Sequence, residues 1–202
     1  EPEAELKLIS INFFLGPRER ILTDPFCGEL LESIEENLRI YNRYMVCSKP
    51  LEEEHVIRLL SANNIEGGIV LGYPPAKCAA LQRVIPKPIV FIDCGEGEYD
   101  NVGLQDLQGT YEIVSFLIKQ GHRKIAFFCD EKEPTSSNRQ RFQGFLKALE
   151  TYKILFDEED FYYLPIEKNL RYEVLRQFAR GVKQNSYTAG FFCSDLLASE
   201  AV

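Results

Sequence analysis

The 202-residue sequence contains no tryptophan and only two histidines, and it has neither a long basic run nor a long apolar run. Two histidines are too few for a histidine metal site, and neither lies in a pattern such as H-E-x-x-H. No apolar stretch approaches the roughly 18 residues that would span a bilayer. The sequence starts with acidic residues where a signal peptide would be basic, so we expect a soluble chain without an export signal.

Catalytic motifs are also missing. The sequence has no G-x-S-x-G elbow and no G-x-x-x-x-G-K-[ST] phosphate loop, and Gly95-Glu96-Gly97 lacks the third glycine of a dinucleotide site. No nucleophile can be paired with a base. We therefore predict that the chain is not an enzyme, with no catalytic residue, no bound metal and no cofactor.

Negative charge predominates. The 31 acidic and 23 basic side chains give a formal net charge of -8. This sign repels phosphate backbones and anionic lipids, so we expect no membrane contact and no direct contact with nucleic acid. The apolar share of 45% is ordinary for a domain with a buried core.

Six cysteines are scattered through the chain, at positions 27, 47, 78, 94, 129 and 193. None has the close spacing of a zinc knuckle or a redox pair. We expect free, buried thiols. An oxidising compartment tends to pair such thiols, so their number and scatter favour a reducing cytoplasm.

Apolar runs alternate with helical periodicity along the sequence. The runs predict strands at 7–14, 44–47, 68–71, 88–92, near 102, and at 124–129, 161–164 and 189–193. Helices are predicted at 25–41, 51–60, 76–84, 107–117, 137–151 and 169–182, with another opening at 196. Unbroken apolar strands are typical of parallel sheets covered by helices, so we predict an α/β fold with two lobes, 6–120 and 121–202. We expect the acidic run 157–160 to be a solvated loop.

Parallel sheets present ligand sites at the carboxyl ends of their strands. The residues that follow predicted strands in this way are Asp24, Phe26, Asp93, Arg139, Arg141 and Asp195. Arginine suits such a site best, because its planar fork of donors can hold sugar hydroxyls or a carboxylate. A surface salt bridge is the alternative for arginine, a core position for Phe26, and a helix cap for Asp24.

Six collinear segments resemble the effector-binding core of the LacI/GalR family of bacterial transcription regulators, which shares its fold with periplasmic sugar-binding proteins. Residues 116–127, F-L-I-K-Q-G-H-R-K-I-A-F, are similar to the family's L-x-x-x-G-H-R-x-I-A junction between lobes. The other segments are D-P-F at 24–26, N-I-E-G-G-I-V at 64–70, P-I-V-F-I-D at 88–93, R-Q-R-F-Q-G-F at 139–145 and F-F-C-S-D-L-L-A at 191–198.

The resemblance implies a periplasmic-binding-protein-like type I fold, with two Rossmann-like lobes around a small-molecule cleft and the second lobe incomplete. It implies that Arg141 holds the polar groups of the effector and that Phe26 and Pro25 line the first-lobe wall. The full set of implied ligand-binding candidates is Pro25, Phe26, Asp24, Ser137, Arg139, Arg141, Ser194 and Asp195. Ser194 stands where the family usually has asparagine, and Gln105-Asp106 stands where it commonly has Asp-Asn. The identity of the effector therefore cannot be inferred from a relative.

The function implied is the sensing and dimerisation domain of a LacI-type DNA-binding repressor. Its expected partners are a sugar or another small-molecule effector, a second copy of the chain through helices at 25–40 and 51–62, and operator DNA through an N-terminal domain outside this chain. The alternative is an exported solute-binding protein that delivers a sugar to a transporter. The junction motif and the scattered thiols favour the repressor.

Overall fold

Strands and helices alternate through most of the computed structural model, which describes residues 7–13, 25–48, 53–95, 97–132, 136–185 and 187–202. These ranges contain eight strands and seven α-helices. The strands form two sheets, and every strand pair is parallel. The chain divides into unit 1, Glu1–Gly103, and unit 2, Leu104–Val202. In the described ranges, no helix combines the length and the apolar character needed to cross a membrane.

Unit 1 contains a five-stranded sheet of order β2-β1-β3-β4-β5. Its elements are β1 (Leu8–Phe13), α1 (Pro25–Ile40), β2 (Tyr44–Ser48), α2 (Glu53–Ser61), β3 (Ile65–Leu71), α3 (Pro75–Val84), β4 (Ile89–Ile92) and β5 (Asn101–Val102). Each helix covers a crossover, because parallel neighbours cannot be joined by a tight turn.

Side chains of β3 alternate between two cores of unit 1. Val70 packs with Val56 and Leu60 of α2, whereas Leu71 packs on the opposite face with Leu31 of α1. Helices therefore cover both faces, which explains why β3 reads as an unbroken apolar run.

Unit 2 contains a three-stranded sheet of order β7-β6-β8. Its elements are α4 (Asp106–Lys119), β6 (Ile125–Cys129), α5 (Ser136–Thr151), β7 (Phe161–Tyr163), α6 (Lys168–Asn185), β8 (Ala189–Phe192) and α7 (Asp195–Glu200). Every residue of the central strand β6 is buried. Phe127 faces a core built with α4 and α5, and Phe128 faces a second core built with α6 and α7.

Helix α4 belongs to unit 2, whereas the sequence places the boundary between lobes after residue 120. The reason is the close approach of α4 to α5 at Gly144. A Cβ atom on Gly144 would overlap the main-chain carbonyl of Leu107, and it would also meet the side chain of Thr110. The structure thus moves the boundary to residues 103 and 104.

Two further expectations are wrong. The acidic run forms a 3-10 helix, Glu158–Asp160, and Asp160 is only 2% exposed. Its Oδ1 atom lies 2.5 Å from Nζ of Lys124 and accepts a 2.6 Å hydrogen bond from the hydroxyl of Tyr187. All six cysteines are free, as expected, but Cys47 is exposed while the other five are buried.

Candidate functional site

Arg141 of α5 is held by three hydrogen bonds within unit 2. Its Nε donates to Oδ1 of Asp106 over 2.8 Å, and its Nη1 donates to the carbonyl oxygen of Cys193 over 2.6 Å. Nη1 also donates to Oδ1 of Asn138 over 3.3 Å. Nη2 takes part in none of these contacts. These three contacts, all with residues that the structure describes, fix the orientation of the guanidinium group and do not use Nη2.

The network around Arg141 continues to the end of strand β6. Asn138 is 6% exposed, and its Nδ2 donates to Oδ1 of Asp130, the residue directly after β6, over 3.4 Å. Asn138 therefore uses both ends of its amide, one toward Arg141 and one toward Asp130. We call Asp106, Asp130, Asn138 and Arg141, with the carbonyl of Cys193, the Arg141 cluster.

Local sequence explains how these groups meet. Asn138 and Arg141 are three residues apart, so they share one face of α5. Asp106 opens α4, where the helix dipole favours a carboxylate. Gly144 lets α4 approach α5 closely enough for Asp106 to reach Arg141. Asp130 and Cys193 follow the paired residues of β6 and β8, so the cluster lies at the carboxyl ends of these strands.

The Asp106–Arg141 contact is an ion pair. The sequence analysis gave a surface salt bridge as the alternative role of Arg141, but this pair is not on the surface. The side chains are 7% and 23% exposed, respectively. A carboxylate this buried needs its cation, because desolvation is costly without a partner.

Ser194 and Asp195 begin helix α7 immediately after Cys193. Ser194 is half-buried and caps the helix, since its Oγ accepts a 3.3 Å hydrogen bond from the amide of Leu197. Asp195 is exposed, and its Oδ1 accepts from the amide of Leu196. Both residues lie at the same sheet edge as Arg141, but the hydroxyl of Ser194 is already used as a cap.

The remaining candidates of unit 2 lie on α5. Ser137 is half-buried and adjacent to Asn138, whereas Arg139 is exposed. Of the two candidate arginines, Arg139 and Arg141, Arg141 is the one that forms the hydrogen bonds of the cluster.

The candidates of unit 1 lie at the start of α1 and after β4. Phe26 is 59% exposed, so its alternative role as a core residue is wrong. Pro25 is exposed as well. Asp24 lies outside the described residues. Asp93 follows β4 in the left-handed backbone region, with φ of 55°.

Two buried thiols and a half-buried tyrosine form a second group, near the end of β4. The thiol of Cys94 accepts a 3.1 Å hydrogen bond from the amide of Tyr73. Hydrogen bonding to Cys78 and burial raise the pKa of the Cys94 thiol. Burial and the neighbouring Cys78 raise the pKa of Tyr99 to about 12. The hydrogen bond with Cys94 lowers the pKa of the Cys78 thiol. The Cys94 thiol and the Tyr99 hydroxyl remain protonated near neutral pH, so they serve unit 1 as packing and hydrogen-bonding groups.

Asp106, Asn138 and Asp130 were not among the residues predicted from the sequence. Asp130 could have been found, because it directly follows an apolar strand. That is the criterion by which the other polar candidates were chosen. Asp106 was noted only as a departure from the family pattern and Asn138 gave no signal, since their roles depend on the crossing of α4 and α5. Within the described ranges, no group of three or more His, Cys, Asp or Glu side chains is arranged to hold a metal ion.

Comparison with known proteins adds to this geometry. Residues 114–202 match the model of a periplasmic binding protein-like domain. The chain is 26% identical over 185 residues to the HTH-type transcriptional repressor PurR of Haemophilus influenzae, an alignment that covers 88% of this chain and 54% of PurR. It is 27% identical over 192 residues to the HTH-type transcriptional regulator DegA of Bacillus subtilis, covering 90% of this chain and 56% of DegA. These curated relatives are HTH-type transcriptional regulators.

The LacI-type fold is confirmed by a solved structure. A LacI family transcriptional regulator from Lactobacillus casei with bound sucrose superposes with a TM-score of 0.81 at 19% identity, over 96% of this chain and 72% of that chain. The resemblance and the α/β fold with parallel sheets flanked by helices were therefore predicted correctly. The chain spans about half the length of the curated relatives it matches.

Proposed function

We propose that this chain is the effector-sensing and dimerisation core of a cytoplasmic LacI-type DNA-binding transcriptional regulator. The observation that carries the proposal is the Arg141 cluster, a half-buried and oriented guanidinium group at the carboxyl ends of two parallel strands. Ligands of α/β sheets bind at this edge. The homology to transcriptional repressors supports the role of such a site in sensing.

The effector is a sugar or sugar derivative without a charged group. The charge of Arg141 is already balanced by Asp106, while Asp130 and Asp195 add negative charge at the same sheet edge. A phosphate or carboxylate would meet these carboxylates, whereas hydroxyl groups can both donate to them and accept from the guanidinium nitrogen Nη2. The relative from Lactobacillus casei, which binds sucrose, supports this class of ligand.

We propose ligand contacts for the other candidates predicted from the sequence as well. Ser137, Arg139, Ser194 and Asp195 supply polar groups from unit 2. For Asp24, Pro25 and Phe26 of unit 1, the family resemblance alone supports a role in ligand binding, and an exposed aromatic ring such as that of Phe26 suits stacking on the apolar face of a sugar.

Operator DNA is contacted through a DNA-binding domain outside this chain, since the net charge of -8 disfavours direct contact with DNA. Two copies associate through α1 and α2. The effector changes operator affinity only to the extent that it binds two conformations of the regulator with different affinity.

The alternative, an exported solute-binding protein, is less favoured. The curated relatives are transcriptional regulators, and six free thiols fit a reducing compartment better than an oxidising one. An enzyme is also less favoured, because the curated relatives are transcriptional regulators.

A thermal-shift panel tests the proposal. The chain has no tryptophan, so a dye reports unfolding. Neutral sugars are compared with sugar phosphates, nucleosides and purines, each with the wild type and with Arg180→Ala, an exposed arginine of α6, as the control variant. A neutral sugar at 100 times its dissociation constant is expected to stabilise both proteins by about 2.7 kcal/mol. A panel in which no ligand raises the melting temperature would contradict the sensing role.

A further inference from the structure

Cys129 and Cys193 are next to each other at the end of the unit 2 sheet. Phe128 of β6 pairs in register with Phe192 of β8, and the amide of Cys193 donates to the carbonyl of Phe128 over 2.9 Å. The next residues along the two parallel strands, Cys129 and Cys193, therefore lie opposite each other. Neighbouring strands are about 4.8 Å apart, within the 4.4–6.8 Å that a disulfide spans between Cα atoms.

Both thiols also point to the same side of the sheet. Cys129 and Cys193 belong to the core cluster between the sheet and helices α4 and α5, together with Phe127 and Phe191, which precede them by two residues. Side chains two residues apart on a strand share a face. Register and side-chain direction thus both bring the two sulfur atoms together.

The Arg141 cluster is connected to this pair through the main chain. The carbonyl of Cys193 accepts the 2.6 Å hydrogen bond from Arg141, and the residue that follows, Ser194, caps α7. On the other strand, Cys129 Sγ accepts a 3.4 Å hydrogen bond from the amide of Glu131, next to Asp130. A change in the main chain at either cysteine is therefore transmitted to the residues of the cluster.

We propose that Cys129 and Cys193 form an oxidisable dithiol, which a hydroperoxide closes to a disulfide within folded unit 2, and that this bond alters the Arg141 cluster. The effect on ligand affinity rests on the proposed function, whereas the formation of the bond does not.

The reaction balances with hydrogen peroxide as the oxidant. One thiol attacks an oxygen of the peroxide, the O–O bond breaks, and a sulfenic acid and water form. The second thiol then attacks the sulfenic sulfur, the S–S bond forms and a second water leaves. The two sulfur atoms together lose two protons and two electrons, which the peroxide takes up.

Burial selects the oxidant. Cys129 is fully buried and Cys193 is 4% exposed. Hydrogen bonding to Cys129 and burial raise the pKa of the Cys193 thiol, and the charge of Arg141 opposes this shift. The reaction is therefore slow at neutral pH, since the thiolate is the nucleophile, and a small neutral peroxide reaches the pair more easily than a bulky charged disulfide.

The disulfide changes the cluster by moving main chain. Bond formation draws the two Sγ atoms to about 2.05 Å from each other, closer than unbonded thiols lie. The side chains of both cysteines must rotate to reach this distance, and the main chain of Cys193 adjusts with them, which reorients the carbonyl that holds Arg141. We expect the dissociation constant of the effector to change by about fivefold or more, the usual lower range of coupling between two sites.

Disulfide mapping on the full chain is the first test. Reduced protein is treated with hydrogen peroxide under native conditions, free thiols are alkylated in denaturant, and tryptic peptides are analysed by mass spectrometry. The expected product links the peptide 125–132 to the peptide 184–202. Cys193→Ala removes this product, and Cys78→Ala, which removes one thiol of the other neighbouring group, leaves it in place. No linked product, a product that forms only in denaturant, or a link from Cys129 or Cys193 to another cysteine would overturn the proposal.

Affinity measurements then test the coupling. The effector found in the thermal-shift panel is titrated into reduced, peroxide-treated and dithiothreitol-restored protein. A change of affinity on oxidation that is reversed by the dithiol and absent in Cys193→Ala supports the proposal. An unchanged affinity of the fully linked protein would overturn the coupling. If reduced protein binds no effector, the proposed function fails, while the mapping still decides whether the dithiol closes.

Discussion

Arg141 and Asp106 join helix α5 to the first residue of helix α4 through a 2.8 Å hydrogen bond between Nε and Oδ1. The same arginine reaches the carbonyl of Cys193, so three separate segments of unit 2 are fixed relative to one another by one side chain. The residue proposed to bind the ligand therefore also has a structural role.

Replacing Arg141 by alanine is expected to destabilise the fold. The carboxylate of Asp106 and the carbonyl of Cys193 would both lose their donor, at a cost of about 1–3 kcal/mol for a partly exposed pair. Urea unfolding followed by circular dichroism measures the change. The double variant Arg141→Ala with Asp106→Ala should recover part of the loss, because no unpaired carboxylate remains. Wild-type stability of Arg141→Ala would contradict the described contacts.

Gly144→Ala is expected to lower the free energy of unfolding by about 1–3 kcal/mol, the usual cost of overpacking. The added methyl group would overlap the carbonyl of Leu107 and force α4 away from α5. Gly109→Ala is the matched control, because it adds the same group to an open position on α4. The control should be neutral or stabilising by up to about 1 kcal/mol. Equal melting temperatures for the two variants would argue against the close crossing.

Tyr187 is expected to make stability fall at alkaline pH. Burial and the hydrogen bond to Asp160 raise the pKa of Tyr187 above its ordinary value. An unfolded tyrosine loses its proton near pH 10, so above about pH 10 the unfolded state binds fewer protons than the folded state, and the free energy of unfolding decreases. Tyr187→Phe should show a smaller decrease between pH 9 and about 11. Tyr41→Phe, at an exposed tyrosine, is the control. Parallel curves for the wild type and Tyr187→Phe would refute the assignment.

A charged residue at the end of α1 is expected to weaken the proposed dimer. Ile40 and Tyr41 are 76% and 68% exposed and continue the surface of α1. Sedimentation velocity of Ile40→Glu should show dissociation at concentrations where the wild type is dimeric, since a carboxylate would be buried at the interface. Val84→Glu, on α3, serves as the control and should remain dimeric. A wild-type monomer at high micromolar concentration would exclude this interface.

The order of strands and helices could be predicted because each buried strand reads as an apolar run between helical periodicities. The predicted junction after residue 120 did not agree with the structure, since the position of α4 depends on its packing at Gly144. The burial of Asp160 was also missed, because its partners Lys124 and Tyr187 are distant in the sequence.

The candidate site could be predicted only in part. Arg141 was identified from its place in a motif, but the groups that orient it by hydrogen bonding lie on α4, directly after β8 and on its own helix. The neighbourhood of Cys129 and Cys193 likewise depends on strand register, which the spacing of cysteines along the chain does not reveal.

The most direct measurement is isothermal titration of the effector into the wild type, Arg141→Lys and Arg180→Lys. Lysine at position 141 keeps a positive charge for Asp106 but loses the planar fork that orients the ligand. We predict that Arg141→Lys weakens binding by about tenfold or more, about 1.4 kcal/mol, while Arg180→Lys binds as tightly as the wild type. Unchanged affinity in a folded Arg141→Lys variant would contradict the account.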